Sequence, residues 1–255
     1  SNTALAVGEE LSYALVETDN PYTGQRQRIA MAETLLSRWF DAKGEVSGEL
    51  PEAQEKGTAW KVLKKGIKGS RLVGLRYEPL FDYARPAEGD AYLVVAGDFV
   101  STEEGTGIVH IAPSFGADDM RVARRYGIGT LTLVDRRGRF TPEVRDFSGE
   151  YVKEAYLGEE EKAAESRRLG TDRYLSVDER IVIKLKKEGK LLNAQKYAHN
   201  YPHCWRTDKP ILYYPLDSWF VRVTAVRDRL VALNQTIRWK PAATGTGRFG
   251  NWLEN

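Results

Sequence analysis

Gly105-Thr106-Gly107-Ile108-Val109-His110-Ile111-Ala112-Pro113-Ser114-Phe115-Gly116-Ala117-Asp118-Asp119 passes without a break from small residues to an apolar run and then to an acidic opening. The β-branched run around Val109 reads as a strand. The continuation, GADDMRVARRYG at 116–127, predicts a helix that begins on carboxylates and stops at Gly127, in keeping with dipole and capping preferences. A strand therefore ends in a loop that feeds a helix N-terminus. The glycines admit a ligand or a neighbouring backbone close to the strand, and a pocket follows from that arrangement. His110 is either a group projecting from the strand end or an ordinary half-buried histidine between Val109 and Ile111. Asp118 is either a ligand-facing acid or a first-turn carboxylate serving backbone N–H groups.

On both sides of this stretch lie short β-branched and aromatic runs. They are RLVGLRYEPL at 71–80, AYLVVAGDFV at 91–100, GIVHIAP at 107–113 and TLTLV at 130–134, each bounded by Gly, Pro or Asp, and they predict several strands of a compact sheet or barrel. Upstream, AMAETLLSRWF at 30–40 has helical apolar spacing, and a short helix is expected around Ala59 to Leu63. Downstream, residues 158–170 and 177–192 read as two helices, KPILYYPL and SWFVRV as strand-like, TAVRDRLVALN as helical and the tail GTGRFGNWLEN as mostly loop. The fold class is α+β, mainly β with helices. Residues 1–160 are expected to form a β-barrel-like core with peripheral helices, and residues 161–255 a mixed α/β connecting segment.

Composition excludes several classes. With 255 residues, 42% hydrophobic, 29% charged and one Cys, the chain is neither a disulfide scaffold nor a disordered polymer. No apolar run nears the roughly 18 residues of a membrane span, and SNTALAVGEELSY lacks the pattern of a secretion signal, so a cytoplasmic protein without membrane partners is expected. Charge is unevenly divided. Residues 1–165 carry 21 Lys and Arg against 28 Asp and Glu, and residues 166–255 carry 17 against 8. The basic part either tracks a polyanion or is partly the solvated end of a helix at Lys184–Lys190. The usual glycine-rich nucleotide loops, the zinc-protease motif and the nucleophile elbow do not occur. In Tyr197–Asp208, His199, His203 and Cys204 fall one short of a four-ligand zinc site, so no metal and no cofactor is expected. That segment reads as an aromatic-rich turn packing one part of the protein on another, with Cys204 inert.

Four stretches together resemble a known family. GDFVSTEEGTGIVHIAPSFGADD at 97–119, NYPHCWRTDKPILYY at 200–214, DSWFVRVT at 217–224 and RFGNWLEN at 248–255 are similar, in this order, to the editing insertion of class I isoleucyl-tRNA synthetases. The similarity extends over essentially the whole chain. The related valine and leucine enzymes carry Lys or Met where His110 stands, which favours the isoleucine branch. In the family a threonine-rich strand of the form WTTTPWTLP forms one wall of the editing pocket and lies just before the segment that begins this chain. The nucleotide-binding HIGH and KMSKS motifs, through which those ligases bind ATP in protein biosynthesis, do not occur in these residues. Some relatives have a second Cys where Thr207 stands.

The resemblance implies hydrolysis of valine mischarged onto isoleucine tRNA, and of the adenylate as a further possible substrate. The partners it implies are the acceptor end of that tRNA and the remainder of the synthetase, with the protein acting as a monomer. By the same resemblance, Asp119 grips the substrate's α-ammonium group, and His110 rejects the extra methylene of isoleucine. Gly105, Thr106 and Gly107 admit the ester and adenosine, while Phe115, Gly116 and Asp118 line the substrate. The alternative is a non-catalytic module that positions the tRNA acceptor end.

Overall fold

The structure, a computed structural model, describes residues 1–51, 59–196 and 200–255. Three strands come first, β1 (Ala4–Val7), β2 (Ser12–Asp19) and β3 (Arg26–Ala32). A 3-10 turn at Glu33–Leu35 and the one-turn helix α1 (Leu36–Trp39) follow. Then come β4 (Trp60–Lys68), β5 (Leu93–Ala96), β6 (Ile108–Ile111) and α2 (Ala117–Tyr126). Two longer helices, α3 (Glu159–Leu169) and α4 (Val177–Lys187), complete the larger unit, Ser1–Pro215.

The strands form two three-stranded sheets. In one, β1 is central, parallel to β5 and antiparallel to β6; in the other, β2 is central and antiparallel to both β3 and β4. The α+β class is as expected, and the described strands make two open sheets without closing into a barrel. Val7 and Val94 from the first sheet pack with Tyr13 and Ala32 from the second, so one apolar layer joins them. Ala4, Ala6, Val95 and Ile111 turn the other way and receive Ala123 of α2. Burial of residues as large as Met31 and Ile111, both fully inaccessible, contributes about 1.5–3 kcal/mol each.

Several local expectations are corrected. Residues 60–63 belong to β4 instead of a helix, because Trp60 and Val62 pair with Thr18 and Val16 across the sheet. Residues 30–32 finish β3, which shortens the predicted helix to the 3-10 turn and α1. The runs at 71–80 and 130–134 contribute only the isolated bridges Arg76–Leu93 and Val134–Phe140. Helix α2 ends as predicted, on Gly127 in the left-handed region at φ 65°.

Val177 of α4 shares a core with Leu133, Val144 and Phe147, so residues on either side of position 160 pack together. The start of α4 is a reciprocal cap: the Glu179 N–H donates to Ser176 Oγ at 3.2 Å, and the Ser176 N–H donates to Glu179 Oε2 at 3.0 Å. Arg173, 2.7 Å from the same carboxylate, is the main cause of a Glu179 pKa near 2, with the Ser176 N–H second. A folded-state value below the ordinary 4.5 means that this stabilisation is complete above that pH and fades as pH falls toward 2. We expect Ser176→Ala to cost about 1 kcal/mol in urea unfolding at neutral pH. The penalty of Glu179→Gln should shrink between neutral pH and about pH 3; a penalty independent of pH would contradict the assignment.

The second unit, Leu216–Asn255, contains α5 (Arg227–Thr236), α6 (Ala243–Thr246) and α7 (Arg248–Glu254). Buried Asn234 organises it, donating to the Gly245 carbonyl and accepting from the Trp239 indole, both at 2.8 Å. Trp239 packs on Phe249, and Phe249 on Trp252, which makes the tail helical where a loop was expected. SWFVRV forms no strand, and Trp219 and Phe220 are exposed. Among the described residues no helix is long and apolar enough to cross a membrane.

Candidate functional site

The glycine-bearing loop before β6 is held by its carbonyls. The Trp39 indole N–H donates to the Gly105 carbonyl at 2.8 Å, the Ala32 N–H to that of Thr106 at 2.8 Å, and the Tyr13 hydroxyl to that of Gly107 at 2.7 Å. The Tyr13 hydroxyl also accepts from the Gly8 N–H at 3.0 Å, so its position is fixed from two sides. Arg38 adds a bond to the Glu103 carbonyl at 2.7 Å. Gly105 and Gly107 both have left-handed backbones, φ 71° and 72°.

His110 lies opposite Leu5 in the β1–β6 pairing. Strand alternation puts it on the face away from Val109 and Ile111, which pack toward α2. It is exposed and has no hydrogen-bond partner among the described residues. Past Ile111 the ladder stops. The Ala112 N–H is taken by Asp119 Oδ2 at 2.9 Å, and the carboxylate folds over Gly116, where an added Cβ would stand 3.0 Å from Asp119 Cγ and Oδ2. Asp119 thus fastens the first turn of α2 to the end of β6, while its Oδ1 has no partner among the described residues. The carboxylate is half-buried. It presents one committed and one open oxygen, an arrangement suited to holding a cation such as an ammonium group.

The remaining predicted residues are placed as follows. Asp118 points outward and pairs with Arg121 one turn along α2. Phe115 meets Tyr214 edge to face at 6.4 Å, and the Tyr214 hydroxyl donates to the Val134 carbonyl at 3.0 Å. The structure brings Asp119, Gly116 and Ala112 together and ties Gly105–Gly107 to β2, β3 and α1. No hydrogen bond or ion pair joins His110 to Asp119. Tyr13 and Trp39, which hold the loop from 94 and 66 residues away, were not singled out from the sequence. No local signal marks them, since only the tertiary fold brings them to the loop.

Elsewhere, Tyr197, Ala198 and His199 lie outside the described residues. The rest of that cluster is a turn in which the Asp208 N–H donates to the Cys204 carbonyl at 2.8 Å. It packs on residues 153–156: Lys153 stands 4.5 Å from the Tyr201 ring, and the Tyr156 hydroxyl donates to the Pro210 carbonyl at 2.7 Å. The Thr207 hydroxyl, followed by the N–H groups of Arg206 and Thr207, holds the Cys204 thiol below the usual thiol range. Among the described residues no three His, Cys, Asp or Glu side chains converge as a metal site would require. Much of the Lys184–Lys190 run has partners within the chain. Lys184 pairs with Asp146 and Glu188, Lys190 with Glu188, and Lys186 stands 4.7 Å from the Tyr22 ring.

No protein-family model matches the chain. Curated relatives do match it over all of its length. An isoleucine-tRNA ligase of Cytophaga hutchinsonii is 57% identical over 266 residues, one of Bacteroides fragilis 45% over 274, and one of Treponema denticola 39% over 265. The chain covers 24%, 24% and 21% of those proteins respectively. It is therefore homologous, from its first residue to its last, to a segment amounting to about a quarter of the length of isoleucine-tRNA ligases.

Proposed function

We propose that this chain is the editing segment of an isoleucyl-tRNA synthetase and that it hydrolyses valine wrongly esterified to isoleucine tRNA in the cytoplasm. The observation carrying the proposal is the half-buried Asp119 carboxylate, oriented through Oδ2 on the Ala112 N–H with Oδ1 left open at the end of β6. An ammonium group gripped there lies beside Gly116, at the end of β6 opposite to the glycine loop. The need for a second site has a magnitude: one methylene in an apolar pocket is worth only about 1–3 kcal/mol, a figure known from isoleucyl-tRNA synthetases themselves. In the proposed reaction water attacks the ester carbonyl carbon, and the bond to the ribose oxygen breaks. Free valine and a tRNA with its terminal hydroxyl restored are released. Asp119 anchors the substrate; orientation of the water falls to backbone groups and the neighbouring ribose hydroxyl. His110, exposed and unengaged at the strand end, is the gate against isoleucine. The adenylate is a second substrate of the same site, and the tRNA acceptor end and the remainder of the enzyme are its partners.

The test uses the full-length enzyme that carries this segment. Hydrolysis of valyl-tRNA specific for isoleucine should far outpace that of the correctly charged isoleucyl-tRNA. His110→Ala should raise isoleucyl-tRNA hydrolysis by about tenfold, the scale on which one methylene is discriminated. Salt-sensitive tRNA binding with no hydrolysis of either ester would instead identify a positioning module. Unaltered selectivity in His110→Ala would remove the gate.

A further inference from the structure

Helices α3 and α4 both carry dense charge, yet they are attached to the molecule by different means. Helix α4 buries Val177 and Leu185, and Val177 sits in the core with Leu133, Val144 and Phe147. Helix α3 buries no residue. Most of its polar bonds are local: the Gly158 N–H donates to Glu161 Oε2 at 2.7 Å, Lys162 pairs with Glu159 at 3.1 Å, and Ser166 Oγ donates to the Thr171 carbonyl at 2.6 Å. Among the described residues, a single ion pair runs from a side chain of α3 to a residue outside 158–173. It joins Arg168 to Glu150 at 3.2 Å. The same Glu150 carboxylate also binds Arg180 of α4, so one acid ties both helices to the stretch that ends β-bridge 139–151. Between α3 and that stretch is a cavity of about 320 Å³, lined by Arg139, Tyr151, Leu157, Ala164 and Tyr174 among others. Close packing, which would hold a helix by many small attractions, is interrupted there. Charge is left as the main attachment of α3, and the Arg168 side chain is 57% exposed. An ion pair so placed is weak and screened by salt.

We propose that α3 is a lid, latched by the Arg168–Glu150 pair, which opens between Gly158 and Gly170 and uncovers Arg139 and Tyr151 while α4 and both sheets stay folded. The floor of the cavity is set without help from α3. Arg139 stands 4.2 Å from the centre of the Tyr151 ring, and its guanidinium donates to the Gly149 carbonyl at 3.3 Å. An eleven-residue helix that packs on nothing is marginal in water, so an open α3 surrenders its internal hydrogen bonds to solvent. Helix α4 keeps its apolar contacts when the charges are screened, and it stays closed. This device does not depend on the proposed hydrolysis.

Amide hydrogen exchange in the full-length enzyme, followed by mass spectrometry, tests the lid. Peptides from α3 should exchange at least about a hundredfold faster than those from β2, because they open locally instead of with the whole fold. Raising NaCl from about 0.05 M to about 0.5 M should quicken α3 by about twofold to fivefold, the scale of one exposed ion pair, with α4 unchanged. Arg168→Gln should give the same quickening at low salt and remove most of the salt response. Arg167→Gln takes a charge from the same last turn of α3, but from a side chain with no ion pair among the described residues, and should leave exchange as it was. Exchange of α3 at the rate of β2 would overturn the lid. So would an Arg168→Gln variant that exchanges like wild type, or equal quickening by Arg167→Gln, since helix charge in general would then be the cause and the latch would be lost.

Discussion

Replacing Asp119 with Asn should lower kcat/KM for valyl-tRNA hydrolysis about a hundredfold while leaving the fold nearly as stable as before. The two effects separate because, under the proposed function, the two carboxylate oxygens have different tasks. Oδ2 accepts the Ala112 N–H at 2.9 Å, and an amide oxygen can accept the same bond. The open Oδ1 and the negative charge are lost in the Asn variant. A hydrogen bond to a charged group is worth about 1.5–3 kcal/mol, and about 2.7 kcal/mol corresponds to a hundredfold in rate. Asp119→Ala removes both tasks, so it should show the same catalytic loss with a further stability cost of about 1 kcal/mol for the unsatisfied Ala112 N–H. The comparison requires hydrolysis kinetics and urea unfolding on both variants. Wild-type hydrolysis by Asp119→Asn would show that the carboxylate is only a fastening between α2 and β6, and the ammonium assignment would be lost.

The bond between Asp119 and the Ala112 N–H also shows where reading the sequence stops. Its place at the start of α2 was legible because acidic residues opening a helix and glycine closing it are local signals, and Gly127 ends the helix as such signals predict. Helices α3 and α4 were legible for similar reasons. The Ala112 N–H was not, since its freedom depends on where the β1–β6 ladder ends. Long-range pairing likewise overrode local preference in β4. WKVLKKGIK carries four lysines, yet Trp60 and Val62 lie on the apolar side of the second sheet, and lysines suit a strand at a sheet edge. The reverse occurred at 71–80, where a 3-10 turn at Gly69–Arg71 and the left-handed Gly74, φ 90°, leave only the single bridge at Arg76. The tail became α7 through contacts of Phe249 with Trp239 and Trp252, which no local pattern of GTGRFGNWLEN announces.

Gly107 should be far less replaceable than Gly105, although both glycines share the same left-handed backbone, φ 72° and 71°. An alanine at either position incurs the strain of that conformation, about 1–2 kcal/mol. At Gly105 an added Cβ meets nothing within 4 Å, so the strain is the whole cost. At Gly107 it would stand 2.5 Å from the Cβ of Ala32, and that methyl is fully buried beside Tyr13 and Leu35. Ala32 cannot swing aside as a long side chain would, and overpacking of this kind adds about 1–3 kcal/mol. We expect Gly107→Ala to cost about 2–5 kcal/mol, against about 1–2 for Gly105→Ala. At about 2–4 °C per kcal/mol for a chain of this size, the two variants should melt several degrees apart. The relief available to Gly107→Ala is to push its strand end off β3, which would break the Thr106 carbonyl bond to Ala32 and the Gly107 carbonyl bond to Tyr13 together. Hydrolysis should therefore fall in Gly107→Ala even under conditions where the variant remains folded, and persist in Gly105→Ala. Equal melting of the two would mean that the contact between this loop and β3 is looser than 2.5 Å implies, and the rigid setting of the glycine loop would have to be abandoned.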